Sequence, residues 1–263
     1  TDRILIGAEG DNAGGLLTGA AYLFSTNGAL LVTFTNPTPT AGEAFGHCVA
    51  SAGNDRVLIG TSGGGDGSGA AYLFSAGGAL LVTFTNPTPA AEDFFGFALA
   101  SLGADRVLIG ALGDDAGATN AGTAYLFSAN EAILTTFTNP TPAVADWFGY
   151  SLAAVGTDWA LIGAPYDDTG ANNAGAAYLF NTNGALLTTF TNPIPAANDN
   201  FGCAVAAMGS DRVLIGAIGD GSPHIGAAYL FSTNGVLLTT FTNPTPAYGD
   251  HFGASLVAVG SDR

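Results

Sequence analysis

A phrase that recurs at a nearly constant interval constrains this chain more than any other feature. An aspartate followed by "RVLIG" or a close variant begins at Asp2, Asp55, Asp105, Asp158, Asp211 and Asp262. The intervals are 53, 50, 53, 53 and 51 residues. A fixed period of roughly 20–50 residues is typical of solenoids, propellers and other repeat arrays. The fold is therefore predicted from the repeated unit rather than from the whole length.

Each unit contains four segments with the character of β-strands. After "LIG" come a glycine-rich loop, "G-A/T-A-Y-L-F", a short turn, and "ALLTTFTNP" or a similar run. A Phe-Gly pair then opens a segment resembling "SLAAVG", and these pairs begin at Phe45, Phe95, Phe148, Phe201 and Phe252. The runs are short, rich in β-branched or aromatic residues, and bounded by Gly, Asn and Pro, as strands are. No helix is predicted.

Four strands in units of about 50 residues predict an all-β fold, a five-bladed β-propeller of four-stranded antiparallel blades. A β-solenoid is the alternative. The repeats indicate one domain over 1–263. Because the last Phe-Gly strand begins at Phe252 and the first three strands begin near Arg3, the ring is predicted to close by sharing strands between the two ends. The start at Thr1 without methionine leads us to expect a mature product or an excised piece.

The repeated unit resembles the FG-GAP repeats of the integrin alpha-subunit propeller and its bacterial relatives. The match is most complete from Phe148-Gly149 through "SLA", "LIGAP" and "GAAYLF" to Phe180. The resemblance implies a propeller with an adhesion role outside the cell or at its surface. Two departures from the family stand out. Integrin-type propellers have seven blades, whereas this chain has five repeats. Short turns such as Val155–Asp158 also replace the calcium loop that the family often carries. The family's metal ligands therefore have no counterparts in this sequence.

Charge is unevenly distributed along each unit. The chain has 21 acidic residues against five Lys and Arg combined, for a formal net charge of -16. In an antiparallel blade, the connection between its second and third strands lies on the same side as the crossing to the next blade, and we call this side the top face. These connections carry 14 of the 21 acids, and the arginines fall at the opposite end, the bottom face. Such a surface disfavours nucleic acid and anionic membranes and suits cations or basic partners.

The residue before each Phe-Gly pair and the residue after it differ from copy to copy. We call each of these positions, compared across the five copies, a column, and both columns are predicted to ring the mouth of a central channel. Aromatic faces beside carboxylates are suited to a sugar, a peptide or a cation. Variation on a tolerant surface, or packing between blades, is the alternative interpretation. The candidate ligand-binding residues are Phe94, Trp147, Asn200 and His251 before the pair, and His47, Phe97 and Tyr150 after it.

An acidic residue stands two positions before every Phe-Gly pair, and its recurrence predicts a structural role in bonding turn amides. These acids are Glu43, Asp93, Asp146, Asp199 and Asp250.

Metal binding and catalysis have weaker support in the sequence. Asp114, Asp115, Asp167 and Asp168 offer oxygen ligands for calcium, but their spacing lacks the alternation of known calcium loops, so no cofactor is predicted and calcium is the alternative. No catalytic residue is assigned, although His47 and His251 beside Glu43 and Asp250 are the candidates for acid–base chemistry.

Two cysteines, Cys48 and Cys203, are expected to be free thiols, because they are one position apart in register and on non-adjacent blades.

The sequence therefore predicts a non-enzymatic ligand-binding or adhesion module that uses the acidic top face for a protein or glycan ligand. One alternative is a structural repeat domain of a larger surface protein or assembly, and the other is an enzyme at the channel mouth. Neither nucleic-acid binding nor membrane insertion is expected. The chain is predicted to act as a monomer or as a unit of a larger protein.

Overall fold

Five antiparallel sheets, one per repeat, follow one another along the chain. The structure, a computed structural model, describes residues 2–53, 55–63 and 66–259. Each sheet is called a blade, numbered in chain order. Blades 1 and 2 consist of β1 (Arg3–Ala8), β2 (Ala20–Ser25), β3 (Leu30–Thr35), β4 (Val49–Ser51), β5 (Arg56–Gly60), β6 (Ala71–Ser75) and β7 (Leu80–Phe84).

The other three blades each contain four strands. Blade 3 consists of β8 (Phe95–Leu102), β9 (Arg106–Ala111), β10 (Thr123–Ser128) and β11 (Ile133–Thr138). Blade 4 consists of β12 (Ser151–Val155), β13 (Trp159–Ala164), β14 (Ala176–Asn181) and β15 (Leu186–Thr191). Blade 5 consists of β16 (Phe201–Met208), β17 (Arg212–Ala217), β18 (Ala227–Ser232) and β19 (Leu237–Thr242), with one π-helical turn at Asp220–His224. In the described part of the chain, no helix is long and apolar enough to cross a membrane.

Within a blade, each strand pairs with its sequence neighbour, and the strand that follows the Phe-Gly pair lies on the inner edge. In blade 4, for example, Leu161 is opposite Ala153 on one side and Leu179 on the other. The inner strands β4, β8, β12 and β16 contact one another in that order. The four-stranded antiparallel blade is thereby confirmed for blades 2 to 5.

The hydrophobic core lies between blades rather than within one. Four clusters of buried residues each join two consecutive blades, one for each of the four junctions from blade 1 to blade 5. At every junction, a phenylalanine of the outer strand packs against one of the next blade, at centroid distances of 5.2–5.4 Å. Stacking of neighbours is therefore what buries each apolar face.

Close backbone contact between blades explains the glycines of "LIG" and of the Phe-Gly pair. A Cβ built on Gly110 of blade 3 would lie 2.2 Å from the carbonyl oxygen of Gly149, the Phe-Gly glycine of blade 4. Gly149 itself has a φ of +92°, a conformation that favours glycine. The same glycine pair recurs at the other junctions, so these positions cannot carry a side chain without moving the blades apart.

The predicted closure of the ring is not confirmed among the described residues. The first sheet has only three strands, β1–β2–β3, and residues 252–259 contribute only an isolated bridge from Phe252 to Gly226 of blade 5. Ile4 and Ile6 of β1 are each 49% exposed, and Val257 and Val259 are mostly exposed. The outward sides of blades 1 and 5 therefore present apolar surface, and we call them the end faces.

Arginines join the blades at the bottom face. Arg3 pairs with Asp55 of the next blade, Arg56 donates to the carbonyl of Ala104, and Arg106 donates to the carbonyl of Thr157 over 2.6 Å. Blade 4 carries Trp159 at the equivalent position. These bonds hold the bottom edges of blades 1 to 4 in register.

Candidate functional site

Crossings between blades and long intra-blade loops meet on one side of the molecule, as expected for the top face. The amide of Glu92 donates to the carbonyl of Asp66, and the amide of Ala145 donates to that of Thr119. Asn198 and Asn172 make the corresponding bond one blade further on. Each crossing is thus tied to the loop of the blade that it leaves, and the acids of both segments share one surface.

The acid that precedes each Phe-Gly pair is part of this framework. Asp146 accepts hydrogen bonds from the side-chain nitrogen of Asn139 at 2.7 Å and from the amide of Ala143 at 2.6 Å. Its burial raises the pKa of Asp146 to about 6. The same two partners recur at Glu43, Asp93, Asp199 and Asp250. The structural role predicted for this column therefore agrees with its contacts.

The residue before each Phe-Gly pair adopts a left-handed backbone conformation in every copy. The φ angles are +53° at Ala44, +51° at Phe94, +55° at Trp147, +54° at Asn200 and +50° at His251. Such angles are uncommon for residues other than glycine and cost of order 1–3 kcal/mol each. The turn is therefore set by the scaffold and not by the residue that occupies it.

Four of the seven candidate ligand-binding residues form a continuous row of rings across blades 2, 3 and 4. His47 lies 4.7 Å from Phe97, and Phe97 lies 5.2 Å from Tyr150, measured between ring centroids. Tyr150 stacks on Trp147 at 6.3 Å with an interplanar angle of 8°. We call these residues, with Tyr166, the aromatic row.

Tyr166 extends this row and is the residue that sequence reasoning missed. Its ring meets Trp147 edge-on at 4.6 Å. The other four copies have glycine at this position, three residues after the glycine of "LIG". In blade 3 that glycine is Gly113, where a Cβ would meet the carbonyl oxygen of Glu92 at 1.9 Å. A single tyrosine at a position that is otherwise glycine was thus the sequence signal that could have identified Tyr166.

Among the described residues, the other three candidates make no ring contact with the row. Phe94 lines a separate crevice with Gly63 and Asp66. Asn200 donates its side-chain amide to the carbonyl of Pro165 at 3.2 Å, and His251 is exposed near the end face of blade 5. The two columns therefore do not form one uniform ring, because only the neighbours with large flat side chains touch.

The polar surroundings of the row differ from those predicted for catalysis. His47 pairs through Nδ1 with Glu9 at 2.6 Å, whereas Glu43 bonds Asn36 and the amide of Thr40.

Both cysteines are free, and burial raises their thiol pKa values, to about 11 for Cys203. Raised pKa values keep the thiols protonated near neutral pH, which disfavours a nucleophilic role.

The two aspartates of each loop pair have separate structural partners. Asp115 accepts the amide of Asn120, and Asp168 accepts the amide of Asn173, each at 2.8 Å. Asp114 and Asp167 turn inwards and accept the hydroxyl protons of Tyr125 and Tyr178, at 2.5 and 2.6 Å. Within the ranges that the structure describes, no group of three or more His, Cys, Asp or Glu side chains could hold a metal ion. The hydrogen bonds of the adjacent pairs anchor the loops that carry them.

Comparisons with known proteins agree with the repeat and the fold. A family model described as the FG-GAP repeat matches residues 82–127, 136–180 and 193–231. The first two matches run from the outer strand of one blade to the third strand of the next, and the third match runs from the crossing after β15 to β18. No curated protein matches the sequence.

A solved structure is similar to this chain in fold. It is the crystal structure of BBS1N in complex with ARL6DN, with a TM-score of 0.56 and 12% sequence identity. The match covers 88% of this chain and 65% of that chain, so the chain spans about 65% of the length of its structural neighbour. At this identity the likeness shows a β-propeller-like fold and carries no functional residue across.

Proposed function

Because the chain carries FG-GAP repeats, we propose that it is a non-enzymatic binding module whose top face holds a protein or glycan ligand at the aromatic row. The observation that carries this proposal is the unbroken series of ring contacts from His47 through Phe97, Tyr150 and Trp147 to Tyr166. Aromatic side chains contribute large contact area with little loss of conformational entropy on binding. Trp and Tyr are also the residues that most often dominate binding energy.

Charge at the edge of the row favours a basic or a neutral ligand over an acidic one. Glu9 is next to His47, and the loops around the row carry further carboxylates such as Asp168. With a net charge of -16, the protein would attract a basic peptide and would tolerate a neutral sugar, whose C–H groups pack on ring faces. Adhesion and an extracellular location are parts of this proposal that derive from the resemblance to integrin-type repeats.

A glycan and peptide array, run with and without calcium, tests the proposal. Trp147→Ala should weaken the strongest hit at least tenfold, because truncation of a central aromatic contact removes about 2 kcal/mol or more. Tyr166→Ala should weaken it less, since the ring touches the row from one side. His251→Ala is the matched control, since it lies in the same column but outside the row. Undiminished binding by Trp147→Ala would remove the row as the site.

The second candidate function is a structural repeat domain of a larger surface assembly, which the two end faces favour. Phe241 of β19 is 43% exposed, while its four equivalents in blades 1 to 4 are each 1% exposed. Apolar surface of this kind is usually covered by another part of a protein. In the binding module, we propose that the five blades close into one ring, with residues 252–259 beside β1. In the assembly, a neighbouring molecule covers the same faces.

Sedimentation over a hundredfold range of protein concentration separates the two arrangements. A closed ring stays monomeric, and a cysteine pair introduced in residues 252–259 and β1 forms a disulfide within one chain. An assembly gives larger species as concentration rises, and the disulfide then links two chains. Neither outcome depends on whether the aromatic row binds a ligand.

A further inference from the structure

A groove on the top face of blade 5 lies outside the aromatic row. Two adjoining cavities of about 520 and 390 Å³ form it, and Ile194, Asp220 and Gly221 line both of them. Ile194 belongs to the crossing that enters blade 5, and Tyr248 belongs to the crossing that leaves it. The loop with the π-helical turn Asp220–His224 contributes to both cavities. Cavities of this size are typical of small-molecule sites.

Three apolar side chains of this groove are larger than the residues that the other copies have at the same positions. Ile194 and Tyr248 line the first cavity, and Ile194 and Ile225 line the second. Because four copies of the unit form their blades with smaller residues, the framework does not require the larger ones. The equivalents are Thr38, Thr88, Thr141 and Thr245 for Ile194, Thr18, Ser68, Ala121 and Ala174 for Ile225, and Ala41, Ala91, Val144 and Ala197 for Tyr248. Three separate departures from the repeat therefore meet in one groove.

Two of these side chains are unusually exposed. Ile194 is 80% exposed and Tyr248 is 79% exposed, and outside residues 252–259 no other large apolar side chain in the described part of the chain is as exposed. Apolar side chains grouped around a concave surface mark a site of interaction, because covering them removes apolar area from water. An apolar group that occupies the groove is therefore stabilised there.

A carboxylate that is more accessible than its equivalents lines the same groove. Asp220 is partly exposed, whereas Asp114 and Asp167, at the same position of blades 3 and 4, are 7% and 2% exposed. The loop that carries Asp220 is two residues shorter than the loops of those blades. One oxygen of Asp220 accepts the hydroxyl proton of Tyr229 and, over 3.4 Å, a bond from the side-chain nitrogen of Asn192. The rest of this carboxylate is accessible to a ligand.

The charged groups of the groove are mostly acidic. Asp199, which is 2% exposed, lines it together with Asp220, and among the described residues no Lys or Arg lines it. His224 is exposed, and its Nδ1 donates to the carbonyl of Gly219 at 3.2 Å. Ionised carboxylates accept hydrogen bonds and do not donate them. The polar part of the groove therefore matches a cationic donor rather than an anion.

We propose that the groove binds a small amphiphilic amine, with its ammonium group at Asp220 and its apolar body against Ile194 and Tyr248. Charge-assisted bonds between an ammonium group and a carboxylate are among the stronger hydrogen bonds. The net charge of -16 also concentrates cations at the surface. This site belongs to blade 5, whereas the aromatic row spans blades 2 to 4, so the two proposals are independent.

The junction between blades 3 and 4 is an internal control. It has the same pair of carboxylate and tyrosine, as Asp167 and Tyr178. Thr141 stands in place of Ile194 there, and its hydroxyl lies 3.1 Å from that of Tyr178. Small residues replace the other two apolar side chains, namely Ala174 and Ala197. That junction has the acceptors without the apolar walls, so the proposal assigns it no amine.

Four small probes separate the parts of this proposal on the full chain at pH 7.5. 2-Phenylethylamine has both features of the ligand, 2-phenylethanol lacks the charge, phenylacetate reverses the charge, and ethylamine lacks the apolar body. Saturation-transfer NMR and titration calorimetry measure their binding. 2-Phenylethylamine should bind with a dissociation constant of about 1 mM, as is typical of a fragment of this size. 2-Phenylethanol should bind about fivefold more weakly, and phenylacetate and ethylamine should show no binding at about 20 mM.

Substitutions towards the repeat test the apolar walls while keeping residues that the fold accepts in other copies. Ile194→Thr and Tyr248→Ala should each weaken the binding of 2-phenylethylamine about fivefold, because each removes apolar contact area. Val144→Ala is the matched control, since Val144 occupies the position of Tyr248 in the crossing from blade 3, and it should leave binding unchanged. Asp220→Asn should remove the preference for the amine over the alcohol. Circular dichroism confirms the fold of each variant.

Three results would overturn the proposal. The first is the absence of 2-phenylethylamine binding in both measurements. The second is equal affinity for 2-phenylethylamine and phenylacetate, or for 2-phenylethylamine and ethylamine, because one of the two recognition features would then be missing. The third is binding that Ile194→Thr and Tyr248→Ala both retain, or that Trp147→Ala removes, since the probe would then lie outside the groove.

Discussion

Internal junctions and end faces are formed by equivalent residues of the repeat, but these residues are buried at the junctions and exposed to solvent on the end faces. The outer-strand phenylalanine packs on the next blade at Phe34, Phe84, Phe137 and Phe190, and at Phe241 the same residue is 43% exposed. Tyr178 and Phe180 of blade 4 are buried, whereas Tyr22 and Phe24 of blade 1 are only partly buried. The difference shows that burial in this fold is a property of the neighbour and not of the blade, as expected of a repeat array.

Removing the outer-strand ring tests this difference most strongly. Phe137→Ala should lower the free energy of unfolding by about 3–5 kcal/mol, because it leaves a cavity between blades 3 and 4. With the end face of blade 5 uncovered, as the structure has it, Phe241→Ala should lower it by about 1 kcal/mol or less, because the phenylalanine ring is then partly solvated in the native state. Urea unfolding followed by circular dichroism measures both. Equal losses would show that the fifth blade is covered in solution, as ring closure requires.

Protonation of the buried carboxylates should give a smaller, pH-dependent effect. The pKa of Asp146 is raised by burial from 3.8 to about 6. The native state therefore binds more protons than the unfolded state between these values, and stability falls as the pH rises from about 4 to 6. Ionisation of Asp146 should lower the free energy of unfolding by about 1–2 kcal/mol by pH 7. Asp146→Asn should flatten the dependence of this free energy on pH.

Urea unfolding at pH 4.5, 6 and 7.5 measures that slope. Asp250→Asn, the same substitution next to the end face of blade 5, is the matched control. An identical change of slope in both variants would contradict burial between blades as the cause.

Bonds at the bottom face should contribute least. Arg106→Ala removes the bond to the carbonyl of Thr157 and the longer ion pair with Asp158 at 3.9 Å. Because the site is partly solvated, the loss should be about 0.5–1 kcal/mol. Arg106→Lys should recover part of it through charge alone. A loss above about 2 kcal/mol would mean that these bonds, rather than apolar packing, hold the junction.

Repetition explains which parts of the molecule the sequence predicts well. Strand order, the position of the Phe-Gly strand and the shared side of loops and crossings follow from five copies of one pattern. The pairing of His47 with Glu9 was not predicted, because Glu43 lies closer in sequence but is already used by Asn36 and Thr40. The contact between Trp147 and Tyr166 was missed because it joins two single departures from the repeat. The exposure of apolar side chains on the end faces of blades 1 and 5 could not be predicted, because it depends on whether a neighbouring blade covers them, and the repeated sequence does not specify that.

The left-handed turn before each Phe-Gly pair has a consequence for how such a surface can diversify. Alanine, phenylalanine, tryptophan, asparagine and histidine occupy it with φ angles between +50° and +55°. Since the framework bonds of the preceding acid hold the turn, exchanging the side chain changes chemistry while leaving the main chain in place. The side chain at this position can therefore change in one blade at a time, and ligand recognition can change with it, while the backbone of every blade stays the same.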